Sequence, residues 1–249
     1  MMVLDVLATG STGNCYALRA GAEVLLLDAG VTMRKLLCSV KDFALVVGCL
    51  VTHEHNDHSR CAEELAQRGV RTICSKGTRD VLAADGRLTL LNAVPALETV
   101  SLGGFTVLPF QTEHDAAEPY GFVVRFEPTG ETLLYATDTY YMRYVFPQIN
   151  YWIVECNYVD EIVVEAVKSG KMERALRGRL LQSHMSLRRL KEAFEANDLT
   201  RTRKIVLVHL SDARSDEARM IKEISDVTGI EDVVAAAEGM SISLELTPF

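Results

Sequence analysis

One short stretch of the sequence concentrates side chains that bind metal ions. Three histidines and one aspartate fall within the run Val51-Thr-His53-Glu-His55-Asn-Asp57-His58. Because alternate residues of an extended segment lie on the same side, about 6.5 Å apart, the spacing predicts that His53, His55 and Asp57 face a common site. His58 would then turn toward a neighbouring site. Imidazole and carboxylate ligands of this kind suit zinc, manganese or iron.

Three further apolar runs also end at a possible metal ligand. They are Phe105–Thr112 before His114, Thr132–Thr137 before Asp138, and Ile205–Val208 before His209. The histidine-rich run itself begins where an apolar run ends. Open α/β architectures place functional sites at strand ends, so four strands of shared orientation would bring seven nitrogen and oxygen ligands together. This pattern predicts a dinuclear metal centre.

The rest of the chain supplies the elements that must position these ligands. Short apolar or alternating runs predict strands over Val3–Ala8, Cys15–Arg19, Val24–Asp28, Leu45–Thr52, Phe105–Thr112, Tyr120–Phe126, Glu131–Thr137, Lys204–Leu210 and Ser241–Leu246. Helical spacing predicts helices over Ala62–Arg68, Glu161–Lys168, Met172–Leu181, Leu187–Ala196 and Asp216–Val227. Strands mixed with helices, without a linker-like stretch, indicate one layered α/β domain over residues 1–249.

The composition excludes several classes of protein. The 249 residues are 48% hydrophobic and 24% charged, the profile of a folded globular chain rather than a disordered one. No apolar stretch approaches the roughly 18 residues that span a bilayer. The N-terminal residues lack the basic region of a secretory signal, so we expect a cytoplasmic protein whose six scattered cysteines stay reduced.

Charge and aromatic residues are unevenly distributed along the chain. Residues 168–204 carry a net charge of +7, which leaves −15 for the remainder. A polyanion could be attracted to this segment and repelled elsewhere, although a solvated face of two helices would give the same pattern. Aromatic residues bunch around and after Asp138, between Tyr135 and Tyr158. Some of them could stack on unpaired bases, and others would fill the core.

Five motifs, in order along nearly the whole chain, resemble the metallo-β-lactamase superfamily. They are Asp28 in LLLDAG, the HEHNDH run, His114, Asp138 in ATDT and His209 in VHLS. The resemblance implies a four-layer αββα sandwich with the site at one edge. It implies that His53, His55 and His114 bind one metal, that Asp57, His58 and His209 bind a second, and that Asp138 bridges them. Asp28 would support the ligand loop.

The resemblance also narrows the chemistry. Common β-lactamases of the superfamily have Cys where Asp138 stands, and flavodiiron proteins have Glu where His55 stands, so antibiotic hydrolysis and a redox role are disfavoured. Two divalent ions, zinc or manganese first and iron as a further option, favour hydrolysis by a metal-bridging hydroxide that Asp57 helps to orient. The motif alone accommodates a phosphodiester as well as an ester, lactone or thioester.

A second pair of residues points to phosphodiester chemistry. Glu155 in VECNY and His184 in QSHMS resemble the Glu–His pair of the RNase Z-like branch, which is associated with protonation of the leaving oxygen. A carboxylate orients an imidazole and raises its pKa, which makes it an acid usable near neutrality. We therefore expect His184 and Glu155 to be catalytic.

Residues of the N-terminal glycine turn complete the expected site. The turn Gly10-Ser-Thr-Gly13-Asn14 allows close backbone approach and offers donors to a phosphate. We expect substrate contacts from Ser11 and Asn14 in this turn, and from Asn157 and Ser186 beside the proposed catalytic pair.

Together the motifs resemble the WalJ/YycJ-like group, which is associated with exonuclease activity on double-stranded DNA. SHMS departs from the usual GHLS, and the residues after VHLS depart from the usual Asn-rich continuation. The resemblance implies a nucleic acid substrate, with DNA favoured over RNA. The alternatives are a small-molecule hydrolase, either a cyclic-phosphate phosphodiesterase or a lactonase or thioesterase, and a metal-bound binding module.

Overall fold

The structure, a computed structural model, describes residues 2–84 and 89–245 and divides into two compact units. The first unit comprises residues 1–111, 116–135 and 237–249, and the second comprises residues 112–115 and 136–236. Each unit carries part of the predicted ligand set. The single domain predicted over residues 1–249 stays a prediction.

The first unit is built on a mixed sheet of seven strands in the order β14-β1-β2-β3-β4-β5-β6. The strands are β1 (Met2–Ala8), β2 (Cys15–Ala20), β3 (Glu23–Leu27), β4 (Val46–Leu50), β5 (Thr72–Cys74), β6 (Asn92–Ala93) and β14 (Ser241–Ser243). Strands β3 to β6 are parallel, and the strands on the other side of β3 are antiparallel. The helices are α1 (Met33–Ser39), α2 (Asn56–Ser59), α3 (Ala62–Gln67) and α4 (Lys76–Ala83).

A second set of strands in the first unit forms an antiparallel meander. It consists of β7 (Val100–Leu102), β8 (Phe105–Gln111), β9 (Tyr120–Phe126) and β10 (Glu131–Ala136), whose last residue belongs to the second unit. Neighbouring strands are antiparallel. The turn between β9 and β10 closes where Gly130, at φ 71°, donates its N–H to the Phe126 carbonyl.

The second unit contains three parallel strands and four helices. The strands are β11 (Tyr151–Glu155), β12 (Lys204–Val208) and β13 (Val233–Ala235), in the order β13-β12-β11. Every residue of β11 and β12 is buried, as expected for parallel strands covered on both faces. The helices are α5 (Asp160–Lys168), α6 (Arg174–Ser183), α7 (Leu187–Glu195) and α8 (Glu217–Thr228).

Most predicted elements lie within two residues of those observed, but the geometry predicted for the histidine-rich run is wrong. The chain is not extended through Asp57, because the one-turn helix α2 begins at Asn56, where the amides of His58 and Ser59 both donate to the His55 carbonyl. The elements that were not predicted are helices α1, α2 and α4 and strands β5, β6, β7, β11 and β13. The predicted last strand, Ser241–Leu246, ends at Ser243, and its residue 246 lies outside the described residues.

Candidate metal centre

In the first unit, the segment that contains the predicted metal ligands is held in place by the buried carboxylate of Asp28. Its Oδ1 accepts from the amide and the hydroxyl of Thr52, at 2.8 and 3.0 Å. Its Oδ2 accepts from the Tyr135 hydroxyl at 2.6 Å and lies 2.8 Å from Nδ1 of His58. A carboxylate that accepts the Nδ1–H of a histidine fixes the tautomer in which Nε2 carries no proton, the arrangement typical of metal-ligating histidines.

The predicted ligands of this segment converge in two pairs. Nε2 of His53 lies 3.0 Å from Nδ1 of His55, and Oδ2 of Asp57 lies 3.5 Å from Nε2 of His58. The His53 and His58 rings are 4.2 Å apart. Imidazole nitrogens and carboxylate oxygens gathered at these distances fit a divalent transition metal.

The N-terminal glycine turn makes hydrogen bonds to this segment. The Asn14 amide donates to the Asp57 carbonyl at 2.7 Å, and its side-chain nitrogen lies 3.0 Å from Nε2 of His58. A Cβ atom on Gly30 would lie 1.7 Å from the same Asp57 carbonyl oxygen, so the LLLDAG motif ends in a residue that must be glycine. Asn14 is fully buried, whereas Ser11 is exposed. Of these two predicted substrate contacts, only Ser11 is open to solvent.

A second group of donors lies in the second unit. One ligand atom from each of Asp138, Glu155, His184 and His209 falls within 4.8 Å of the others. Nδ1 of His209 contacts Oδ1 of Asp138, and Nε2 of His114 lies 3.6 Å from Oδ2 of the same carboxylate. Asp138 therefore has one carboxylate oxygen near each of these two histidines.

The contacts of His114 determine which of its ring nitrogens carries the proton. Its Nδ1 lies 2.8 Å from the Ser183 carbonyl oxygen, which can only accept, so Nδ1 carries the proton. Burial lowers the pKa of His114 and outweighs the nearby Asp138 carboxylate. A neutral imidazole whose Nε2 carries no proton is the form in which histidine binds a metal through that atom.

His184 and Glu155 form the pair expected from the sequence. Nδ1 of His184 lies 2.6 Å from Oε1 of Glu155, whose Oε2 accepts from the amides of Thr139 and Met185 at 3.1 and 3.0 Å. Burial alone would lower the pKa of His184, but the fully buried Glu155 carboxylate outweighs it and raises that pKa to about 9. His184 is therefore protonated at neutral pH.

The free edge of the His184 ring is available for chemistry. Its side chain is 22% exposed, and within residues 2–84 and 89–245 its Nε2 has no hydrogen-bond partner. The ring lies 5.6 Å from that of His114 and 5.3 Å from that of His209. A protonated imidazole thus stands beside predicted ligands with one N–H free.

The remaining predicted substrate contacts hold loops in place. The Asn157 side chain donates to the His209 carbonyl at 2.8 Å. Ser186 is fully buried at the N-cap of α7, where its Oγ accepts from the Arg189 amide at 3.3 Å. Both are positioning contacts, one for a predicted ligand and one for the helix after His184.

Three site residues occupy left-handed backbone conformations that the sequence did not reveal. Asp28, Asp138 and His209 have φ values of 58°, 46° and 53°, each just after a strand. Non-glycine residues in this region store strain and cluster at functional sites. No pattern in the sequence indicated that Thr52 and Tyr135 bind Asp28. Tyr135 belongs to the aromatic group near Asp138, and here its hydroxyl donates to a buried carboxylate.

The aromatic group near Asp138 is mostly core. Tyr151, Trp152 and Tyr158 are fully buried, whereas Tyr141 is 55% exposed. Of these four, only Tyr141 has a face open for stacking.

Residues 23–210 match the family described as the beta-lactamase superfamily domain. The chain belongs to this superfamily. The membership predicted from the five motifs is therefore confirmed. The superfamily fold, together with the histidine and aspartate donors, implies that divalent metal ions bind.

Two proteins are similar in sequence to most of this chain. The exodeoxyribonuclease WalJ of Streptococcus pneumoniae serotype 2 (strain D39 / NCTC 7466) is 26% identical over 258 residues, covering 97% of this chain and 92% of that protein. The exodeoxyribonuclease YycJ of Bacillus anthracis is 28% identical over 226 residues, covering 83% and 81%. The predicted resemblance to the WalJ/YycJ-like group is confirmed.

A solved structure supports the fold. The metallo-beta-lactamase fold protein YhfI of Bacillus subtilis superposes with a TM-score of 0.73 at 17% identity, covering 98% of this chain and all of that one. The predicted fold class, the αββα sandwich of the metallo-β-lactamases, is confirmed. Within the described residues, no helix is both long and apolar enough to cross a membrane.

Proposed function

We propose that this protein is a dinuclear metal-dependent phosphodiesterase that acts as a DNA exonuclease. The observation that carries the proposal is the pair of His184 and Glu155, a protonated imidazole with a free N–H beside predicted metal ligands. Sugar alkoxides are poor leaving groups, so a phosphodiesterase gains from an acid at this position. The two relatives named exodeoxyribonucleases support DNA as the substrate.

The proposed metal ligands are those predicted from the sequence. His53, His55 and His114 would hold one ion, Asp57, His58 and His209 would hold the other, and Asp138 would bridge them. We propose zinc or manganese, with iron as a further option, because histidine and aspartate sites accept each of them. When bound, two such ions lower the pKa of water, orient the phosphodiester and neutralise charge on its oxygens.

The side chains of the protein divide the remaining work. Asp28 keeps the proton of His58 on Nδ1, so that Nε2 faces the site. Asp57 accepts a hydrogen bond from the attacking water and orients it toward phosphorus. Glu155 keeps His184 protonated, and His184 gives its Nε2 proton to the leaving oxygen.

Of the four side chains predicted to contact the substrate, we propose that one does so directly and three act indirectly. Ser11 is exposed and contacts the phosphate directly. Asn14, Asn157 and Ser186 act through the loops that they hold. Because DNA is the proposed substrate, we also propose a cytoplasmic location.

The test is a substrate panel with metal-loaded protein. It contains 5′-phosphorylated duplex DNA, single-stranded RNA, bis-p-nitrophenyl phosphate and a set of lactones, with the Asp57→Ala/His58→Ala double variant as the control. We expect turnover of duplex DNA and of bis-p-nitrophenyl phosphate, and none by the variant. Turnover of lactones but of no phosphodiester would overturn the proposal in favour of a small-molecule hydrolase.

A further inference from the structure

Within the described part of the chain, some cations of the basic segment, residues 168–204, are engaged by other groups of the protein, and others are not. Those of α7 and β12 are engaged within the protein. Arg188 lies 3.3 Å from Glu192, Lys191 lies 2.5 Å from Glu223, and Lys204 lies 3.0 Å from Asp232. A cation already paired with a carboxylate offers little to an external anion.

Arg189, beside the proposed acid, is also engaged. Its guanidinium donates to the Tyr140 and Leu181 carbonyls at 2.8 and 3.1 Å and lies 5.3 Å from the centre of the Tyr140 ring. It fastens α7 to the loop after Asp138. The side chains of Arg188, Arg189 and Lys191, which follow His184 closely in the sequence, are thus already engaged within the protein.

Four cations at the other end of the segment are free. Lys168 ends α5, Lys171 lies in the following turn, and Arg174 and Arg177 lie on α6. All four are exposed, and within residues 2–84 and 89–245 none of these side chains has an ion pair or hydrogen bond. We call this group the basic hairpin. The exposed acids of the same stretch, Glu165 and Glu173, leave it net positive.

The basic hairpin is a fixed part of the second unit. Met172, in the turn, is buried and packs in one apolar cluster with Val163 of α5 and Leu180 of α6. The Met172 amide donates to the Ala166 carbonyl at 2.9 Å. The free cations are therefore presented on a packed pair of helices.

The hairpin is continuous with the proposed active site. Helix α6 begins at Arg174, and its C-cap is His184. Ten helical residues span about 15 Å, the length of about four base pairs of duplex DNA at 3.4 Å each. Between these two ends of α6, the Arg179 guanidinium lies 3.7 Å from the Asp115 carboxylate. The same carboxylate lies 3.4 Å from Nε2 of His114.

We propose that the basic hairpin binds the sugar–phosphate backbone of duplex DNA, about four base pairs from the phosphodiester that is cleaved. This inference rests on the proposed function. Free cations on a rigid element, at one end of the helix that carries the proposed acid at the other, fit a regularly spaced polyanion. Phosphate contacts of this kind set register without reading sequence.

The test compares two sets of charge removals. The first is Lys168→Gln/Lys171→Gln/Arg174→Gln/Arg177→Gln, and the control is Arg188→Gln/Lys191→Gln, which removes cations that are already paired. Binding of a labelled 20-base-pair duplex is measured by fluorescence anisotropy over a salt series. Turnover of bis-p-nitrophenyl phosphate, which is too small to reach the hairpin, is measured in parallel.

We expect the slope of log affinity against log salt to become shallower by about 2 to 4 in the hairpin variant, because each phosphate contact contributes about 0.9. The control should change the slope by less than about 1, and turnover of the small substrate should stay as in the wild type. An unchanged slope in the hairpin variant would overturn the inference while the proposed function stands. Absence of phosphodiester turnover by the wild type would instead overturn the proposed function, and the salt slope would still decide the binding surface.

Discussion

The two units each contain a buried carboxylate paired with a histidine, and the two pairs are built differently. Both oxygens of Asp28 are occupied by fixed donors from Thr52, Tyr135 and His58, and both side chains of the Asp28–His58 pair are fully buried. In the second unit, Glu155 is also fully buried, but its partner His184 is 22% exposed and has a free Nε2.

This difference separates two uses of the same chemical pair. A closed pair holds a ligand loop in one geometry, because its carboxylate cannot leave without stranding several buried donors. A half-open pair keeps a proton on an imidazole that can reach a substrate. We therefore expect that removal of the first carboxylate lowers the stability of the protein and that removal of the second changes the pH dependence of its activity.

The largest expected effect comes from breaking the closed pair. Asp28→Ala strands the amide and hydroxyl of Thr52, the Tyr135 hydroxyl and Nδ1 of His58, so the free energy of unfolding should fall by about 3–5 kcal/mol. Urea unfolding measures this loss. As the control, Asp5→Ala removes a carboxylate from the partly exposed pair with Arg19 and should cost about 0–1 kcal/mol. Equal losses in the two variants would contradict the closed-pair description.

The next effect is on pH dependence. Because Glu155 raises the pKa of His184 to about 9, wild-type kcat should stay high at neutral pH and fall as the pH rises through that value and the acid loses its proton. Glu155→Gln removes the charge, so the pKa should return toward about 6.5 and the alkaline limb should move to lower pH. A pH profile of kcat on DNA measures the shift. An alkaline limb at the same pH in both proteins would show that His184 is not the acid.

The smallest expected effect tests the helical conformation of α6, the helix whose C-cap is His184. Gly178 is exposed within α6, and a Cβ atom there would meet nothing within 4 Å. Gly178→Ala should raise the free energy of unfolding by about 0.5–1 kcal/mol, since alanine loses less conformational entropy in a helix. Urea unfolding and kcat are measured together, and kcat should not change. A loss of stability would mean that α6 is not helical at this position.

Much of the site was predictable because its signals are local. Histidines and an aspartate at close spacing, and ligands directly after apolar runs, need no knowledge of distant contacts. The elements that carry them, such as β8, β9 and β12, are long apolar or alternating segments whose burial follows from their pattern. Glu155 and His184 are 29 residues apart, and resemblance rather than periodicity brought them together.

What the sequence did not predict depends on contacts between distant segments. The one-turn helix α2 forms where Asn14 and Gly30 pack against Asp57, and the hydrophobic pattern of the surrounding sequence does not predict it. The left-handed backbone conformation of Asp138 occurs where its side chain contacts His114 and His209, which are distant in sequence. The charge of residues 168–204 could be counted, but its division into paired and free cations depends on partners elsewhere, such as Glu223 on α8.

The most direct test of the central claim compares two leaving groups in His184→Ala. If His184 protonates the leaving oxygen of a phosphodiester, DNA, with its alkoxide leaving group, should be cleaved about 10²–10⁴-fold more slowly by the variant. Bis-p-nitrophenyl phosphate releases an already stable anion and should be cleaved at close to the wild-type rate, with metal content unchanged. An equal loss on both substrates, or loss of a metal ion, would contradict the account and make His184 a ligand instead of the acid.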